Sequence, residues 1–209
     1  MKAYREAYRE APVASRSIRR VLRACLAAWL LAVLLPVAAH AHPHVFVDNT
    51  MDVVFDAQGM SGIRVTWKFD PMASMQYLAD LDPNGDGVLT REEWEAQRED
   101  IAGFLAEERF FLYIMVNGTT VPVTAVHDFV VTYADGVLTY TFFAPLAVPR
   151  GSRVLVAVYD PSYYTDFQTY ESGVRLSGEP DGAEFAFEDA PELAFYGGQV
   201  IPMAARIVF

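Results

Sequence analysis

The hydrophobic period of this chain changes twice, and the switch restricts its architecture more than any single residue does. From Val45 the apolar positions alternate. Val45, Val47, Met51, Val53 and Phe55 share one face, and His44, Phe46, Asp48, Thr50 and Asp52 the other. Period two marks a half-buried strand. After the turn-forming Asp56-Ala57-Gln58-Gly59, residues Ile63, Val65, Trp67 and Phe69 alternate with Arg64, Thr66 and Lys68, predicting the second arm of a hairpin. At Asp70-Pro71 the period becomes helical. Asp is a favoured N-cap and Pro a favoured first helical residue, and Met72, Met75, Leu78 and Leu81 then recur at threes as one helix face. A second helix is predicted from near Arg91 towards Glu108, with Trp94, Ile101 and Leu105 on one side.

Beyond Phe110 strands return. Segments 111–116 and 120–126 flank Asn117-Gly118, a hairpin turn signal, and 129–133 and 137–143 flank Ala134-Asp135-Gly136. Segment 154–159 is apolar on both faces and reads as a buried central strand. The stretch 172–191 reads as loops with one short strand at 185–187, and 205–209 as an edge strand. The fold class is therefore mainly β (α+β): an antiparallel β-sandwich-like domain, single over 42–209, with a helix–loop–helix insertion at about 70–109. The strands on either side of the insertion are too few to stand apart as separate domains.

Between the two predicted helices lies Asp82-Pro83-Asn84-Gly85-Asp86-Gly87-Val88-Leu89-Thr90-Arg91-Glu92-Glu93. It matches the twelve-residue pattern D-x-[DN]-x-[DN]-G-x5-E of a calcium loop at every fixed position. Asp82, Asn84 and Asp86 stand at positions 1, 3 and 5. Gly87 stands where the chain must turn sharply. Val88 offers its carbonyl, Thr90 reaches the ion directly or through water, and Glu93 can bind through both oxygens. A single loop of this kind points to a structural ion rather than a switch.

The first 23 residues carry seven Lys and Arg and two acids; an apolar run follows from Ala24 to Ala39, then Ala39-His40-Ala41. A basic start, a short apolar stretch and a small-x-small site predict a cleaved secretory signal peptide over 1–41, with no stable membrane insertion afterwards. Losing those seven basic and two acidic residues takes the net charge from −11 to −16. Such a surface repels nucleic acid and suits cations. The only cysteine, Cys25, lies within the leader, so the exported part relies on its core rather than disulfides. That fits a bacterial periplasm.

Cleavage after Ala41 would expose His42-Pro43-His44. Residues i and i+2 of an extended chain face the same side, about 7 Å apart, so two imidazoles can converge on one ion. Nitrogen donors suit Ni²⁺, Co²⁺ or Zn²⁺. His127, followed by Asp128, is the only other imidazole after residue 41 and would complete a three-histidine site if it packed near the first strand. The alternative is that all three are ordinary solvated residues. The dense Tyr159-Asp160-Pro161-Ser162-Tyr163-Tyr164-Thr165-Asp166 segment offers two further carboxylates that could bind or orient a metal ligand, or tyrosines that simply pack. No cysteine nucleophile, G-x-S-x-G, H-E-x-x-H or glycine-rich phosphate loop is present, and the chain reads as a non-enzyme.

The segments His42-Pro43-His44-Val45-Phe46-Val47, Val65-Thr66-Trp67 and Tyr159-Asp160-Pro161-Ser162-Tyr163-Tyr164 resemble the bacterial family known as domain of unknown function 1007. The resemblance covers most of 42–170. It implies export and a periplasmic component of an ABC-type transport system, with nickel, cobalt or zinc as cargo and an inner-membrane metal transporter as partner. It implies no catalytic residues. The 82–93 loop independently resembles the EF-hand superfamily. Together these suggest a periplasmic metal-binding accessory braced by calcium. A calcium-stabilised adhesion or assembly module without a transition metal is the alternative, and an N-terminal-histidine metalloenzyme a third reading.

Overall fold

In a computed structural model, residue 18, residues 20–26 and residues 43–209 are described. The chain divides into two units, Met1–Ala41 and His42–Phe209; the account below concerns the second. The Ala39-His40-Ala41 site and His42 lie outside the described residues, as does most of the apolar run before them. Among the described residues no helix is long and apolar enough to cross a membrane.

Two five-stranded sheets face each other. β1 (Val45–Asp56) and β2 (Gly59–Phe69) form the expected antiparallel hairpin. Asp56 Oδ1 closes its turn by accepting from the amides of Gln58 and Gly59 at 2.8 and 3.1 Å. Gly59 has φ 143°, and a Cβ there would collide with the Val148 carbonyl, so no other residue fits. After the helical insertion come β3 (Leu112–Val116), β4 (Thr119–Val121), β5 (His127–Ala134), β6 (Val137–Pro149), β7 (Arg153–Val158), β8 (Thr165–Gly178), β9 (Glu184–Asp189) and β10 (Met203–Val208). One sheet runs β5-β6-β2-β1-β8 and the other β4-β3-β7-β10-β9. Every pairing is antiparallel except β1 with β8.

The inward residues of both sheets form one core. Val47, Val53, Ile63 and Val65 of the first sheet join Ile114, Val156 and Ile207 of the second. Each such side chain contributes about 1.5–3 kcal/mol on burial. β7 lies between β3 and β10, as its two-sided apolarity predicted. Its outer residues Leu155 and Ala157, with Tyr159 just past its end, form a second cluster with Ala190 and Ala204, against which Tyr113, Leu193 and Phe195 pack.

The strand expectations need four corrections. The region from 172 is not mainly loop, because β8 continues to Gly178 beside β1. As an edge strand it has one fully buried residue, Val174, which leaves little alternation to read. β9 is twice the expected length. β10 is interior rather than an edge, since β9 pairs along its outer side. β4 stops at Val121 because Pro122 has no N–H to continue the ladder.

The insertion begins with α1 (Pro71–Leu81). Asp70 Oδ1 caps it, accepting from Met72 N at 2.8 Å and Ala73 N at 3.0 Å, while Oδ2 accepts from Phe46 N at 2.9 Å. The buried face is not the one read from threes. Met72 and Met75 are 73% and 65% exposed, and Ala73, Ser74, Leu78 and Leu81 turn inward. Ser74 sets this rotation. Its hydroxyl donates to Phe69 O at 3.1 Å and accepts from Leu138 N at 2.9 Å, pinning α1 to β2 and β6. The second helix is also broken in two, into α2 (Arg91–Ala96) and α3 (Arg98–Glu107). At the break Gln97 N bonds to Trp94 O, three residues back, and its side-chain amide donates to Leu81 O at the end of α1.

Ser74→Ala would leave the buried Leu138 N–H without its side-chain acceptor. It should cost about 1–3 kcal/mol in a urea unfolding measurement. Met75→Ala, on the exposed face, should stay within about 0.5 kcal/mol of the parent.

Candidate metal centre

The 82–93 loop joins α1 to α2, and both of its ends are anchored. Leu81 is buried before it and Trp94 after it, the latter edge-on to Phe129 of β5 at 6.1 Å. Leu89, within the loop, packs against the main core. The loop's backbone is folded around its own side chains. Asp82, 6% exposed, receives Gly85 N on Oδ1 at 2.9 Å and Gly87 N on Oδ2 at 2.8 Å. Asn84 Oδ1 accepts from Asp86 N at 2.9 Å, and Asp86 Oδ1 from Val88 N at 2.8 Å. Gly85 and Gly87 take φ 71° and 77°, the left-handed conformation that glycine adopts without strain.

Glu93 closes the loop. Thr90 N caps onto Glu93 Oε2 at 2.9 Å and Thr90 Oγ1 donates to the same oxygen at 2.7 Å; Asn84 Nδ2 donates to Oε1 at 2.6 Å. Thr90 Oγ1 in turn accepts from Glu93 N, so the two residues form a capping box at the start of α2. The loop therefore draws position 3 to position 12 across its opening. All its side-chain donors to an ion would be oxygens, which suits a hard cation. Its carboxylates are held by internal hydrogen bonds: each Asp82 oxygen accepts one and keeps a lone pair, whereas Glu93 Oε2 already accepts two from Thr90. Among the described residues, no three His, Cys, Asp or Glu gather as a metal-holding group.

The histidines are placed differently from one another. His44 precedes β1, donates its amide to Tyr164 O at 2.8 Å and sets its ring 5.0 Å from that of Tyr164. His127 opens β5. Its register partner is Phe143, which pairs with Arg64, which pairs with Asp52. His127 is thus level with a point eight residues along β1 from His44, with β6 and β2 between the strands. At ordinary sheet spacing that is about 14 Å across and roughly 25 Å along. The structure does not bring His127 to His44. Sequence could not show this, because the separation depends on the strand order.

In the 159–166 segment the tyrosines pack. Tyr159 stacks between Tyr113 at 3.8 Å and Phe195 at 4.5 Å. Burial, reinforced by Tyr113, pushes its phenol up to about 12, so it stays protonated at neutral pH. Asp160, 6% exposed, organises the turn. Its Oδ1 accepts from Ser162 N at 2.8 Å and Ser162 Oγ at 2.7 Å, and its Oδ2 from Thr165 N at 3.0 Å. Asp166 accepts from Gln168 Nε2 at 3.3 Å. The Asp160-Pro161-Ser162 spelling was a legible signal for such a side-chain-closed turn. Asp70 caps α1 as its sequence position predicted; missed by sequence was its second role, in which the other oxygen of the same carboxylate holds Phe46 N at the start of β1.

Residues 27–195 match the profile of a family described as "Protein of unknown function (DUF1007)". A relative in Spirochaeta aurantia, described as "Uncharacterized 15.5 kDa protein in trpE 3'region", is 29% identical over 136 residues, covering 63% of this chain and 97% of that protein.

Asp160→Ala removes the acceptor for three donors. It should lower unfolding stability by roughly 3 kcal/mol, by the same amount in chelator and in calcium, as read from urea denaturation under both conditions.

Proposed function

The chain belongs to the DUF1007 family of proteins of unknown function, and from that premise we propose that it is an exported calcium-binding protein serving a transition-metal transport system in the periplasm. The observation that carries the calcium part is the 82–93 loop, with its complete pattern of oxygen donors and its glycine turns. Asp82, Asn84, Asp86, Thr90 and Glu93 would hold the ion through side chains and Val88 through its carbonyl. To do so Glu93 exchanges the Asn84 bond on Oε1, and one of the two Thr90 bonds on Oε2, for ion contact. Because Leu81 and Trp94 anchor the two ends in the core, the ion braces the insertion against the sandwich. At a free calcium concentration a hundredfold above the dissociation constant, this linkage stabilises the fold by about 2.7 kcal/mol.

Calorimetry and thermal melts test it. One calcium should bind per chain and raise the melting temperature, and Glu93→Gln should weaken binding at least tenfold. Parent protein that shows neither calcium heat nor any change of melting temperature on chelation would refute the brace.

The cargo part rests on His42 and His44 together with the family resemblance to transport components. His127 stands apart from this pair, because its register separates it from His44. Ni²⁺, Co²⁺ or Zn²⁺ would be taken by the two imidazoles and passed to or from an inner-membrane transporter. No catalysis is assigned. His42→Ala/His44→Ala should lower calorimetric affinity for these ions by an order of magnitude or more. The packing of the His44 ring on Tyr164 favours one competing reading, a calcium-stabilised assembly module without a transition metal. Unchanged nickel, cobalt and zinc binding in the double variant would favour that module.

A further inference from the structure

A cavity of about 690 Å³ lies beneath the insertion, apart from the 82–93 loop; Tyr164, on which the His44 ring packs, is one of its lining residues. Its wall is largely aromatic and aliphatic: Trp67 and Phe69 from β2, Tyr77 from α1, Ile101 and Leu105 from α3, and Phe167 from β8. None of the 82–93 loop residues and none of the histidines line it. Protein interiors are close-packed, with few voids larger than a water molecule. An apolar hollow of this size with a few polar groups has the dimensions of a small-molecule site.

Two observations narrow the occupant. First, no Lys, Arg or His is among the lining residues, whereas Asp100 and Glu108, both exposed on α3 and just after it, are. Second, Asp160 also reaches the cavity, but its carboxylate is taken up by Ser162 and Thr165. The carboxylates left to meet a ligand are therefore those of Asp100 and Glu108. Aromatic faces and uncompensated carboxylates both attract positive charge, and both disfavour an anionic head group.

We propose that this cavity binds a hydrophobic organic cation, its apolar body among the aromatic side chains and its charged end towards Asp100 and Glu108. The site is independent of the calcium and histidine readings and stands or falls without them.

Fluorescence anisotropy with acridine orange as the cationic probe and 8-anilinonaphthalene-1-sulfonate as the anionic one tests this on the purified protein with calcium present. Acridine orange should bind saturably at one site, at least tenfold more tightly than the anionic probe. Asp100→Lys/Glu108→Lys alters only exposed side chains, so folding is not at stake. It should weaken the cation by about tenfold and favour the anion. Ile101→Trp, which fills the hollow, should abolish binding while the far-ultraviolet circular dichroism stays unchanged. Preference for the anionic probe, no saturable cation binding, or a charge-reversed rim without effect would overturn the proposal. So would cation binding that persists in Ile101→Trp and vanishes in high salt, because that is adsorption to the acidic surface.

Discussion

Trp67 sits in β2 at 1% exposure, with the rings of Phe142 and Phe167 at 4.9 and 5.0 Å and that of Phe111 at 6.1 Å. Phe142 and Phe167 belong to its own sheet, and Phe111 leads into the other. This aromatic contact is where the two sheets and the end of the insertion meet. The described unit has no cysteine, so nothing covalent holds the layers together, and the area buried between them carries the fold. Three of these residues, Trp67, Phe111 and Phe167, also line the cavity. Core and candidate ligand site are therefore continuous here.

The insertion is attached at several points of different chemistry. Asp70 ties the start of α1 to the start of β1 through opposite oxygens of one carboxylate. Ser74 ties α1 to β6 through a hydroxyl that both donates and accepts. Leu81, Trp94 and Leu105 complete the attachment by burial. Buried polar ties fix orientation, because an unpaired donor or acceptor costs more than a shifted apolar contact. This explains why α1 is rotated so that two methionines face solvent, against the apparent helical stripe. A calcium ion in the 82–93 loop would act on a segment already positioned at both ends, which suits bracing better than switching.

Legibility varied with burial. β1 and β2 were readable because one face is buried and the other wet, and alternation follows directly. β7 was readable as central because both its faces are covered. β8 was not, since an edge strand with one fully buried residue leaves little pattern. β10 was found but misplaced, because a strand's own residues do not say whether another strand will cover its outer side. Within the candidate site the whole calcium pattern is local and could be read residue by residue. The separation of His127 from His44 could not, and neither could the cavity.

The sequence by itself determined the local features: the two changes of period, the Asp70-Pro71 helix start, the glycine turns and the oxygen-rich 82–93 loop. Each is decided within a few residues by backbone sterics and neighbouring hydrogen bonds. Only the tertiary structure decided which helix face is buried, which strands neighbour each other, how far His127 stands from His44, and that Asp100 and Glu108 rim an aromatic hollow. Those outcomes depend on contacts between residues distant in the chain. Burial and strand order select them collectively, and no short stretch of sequence carries that choice.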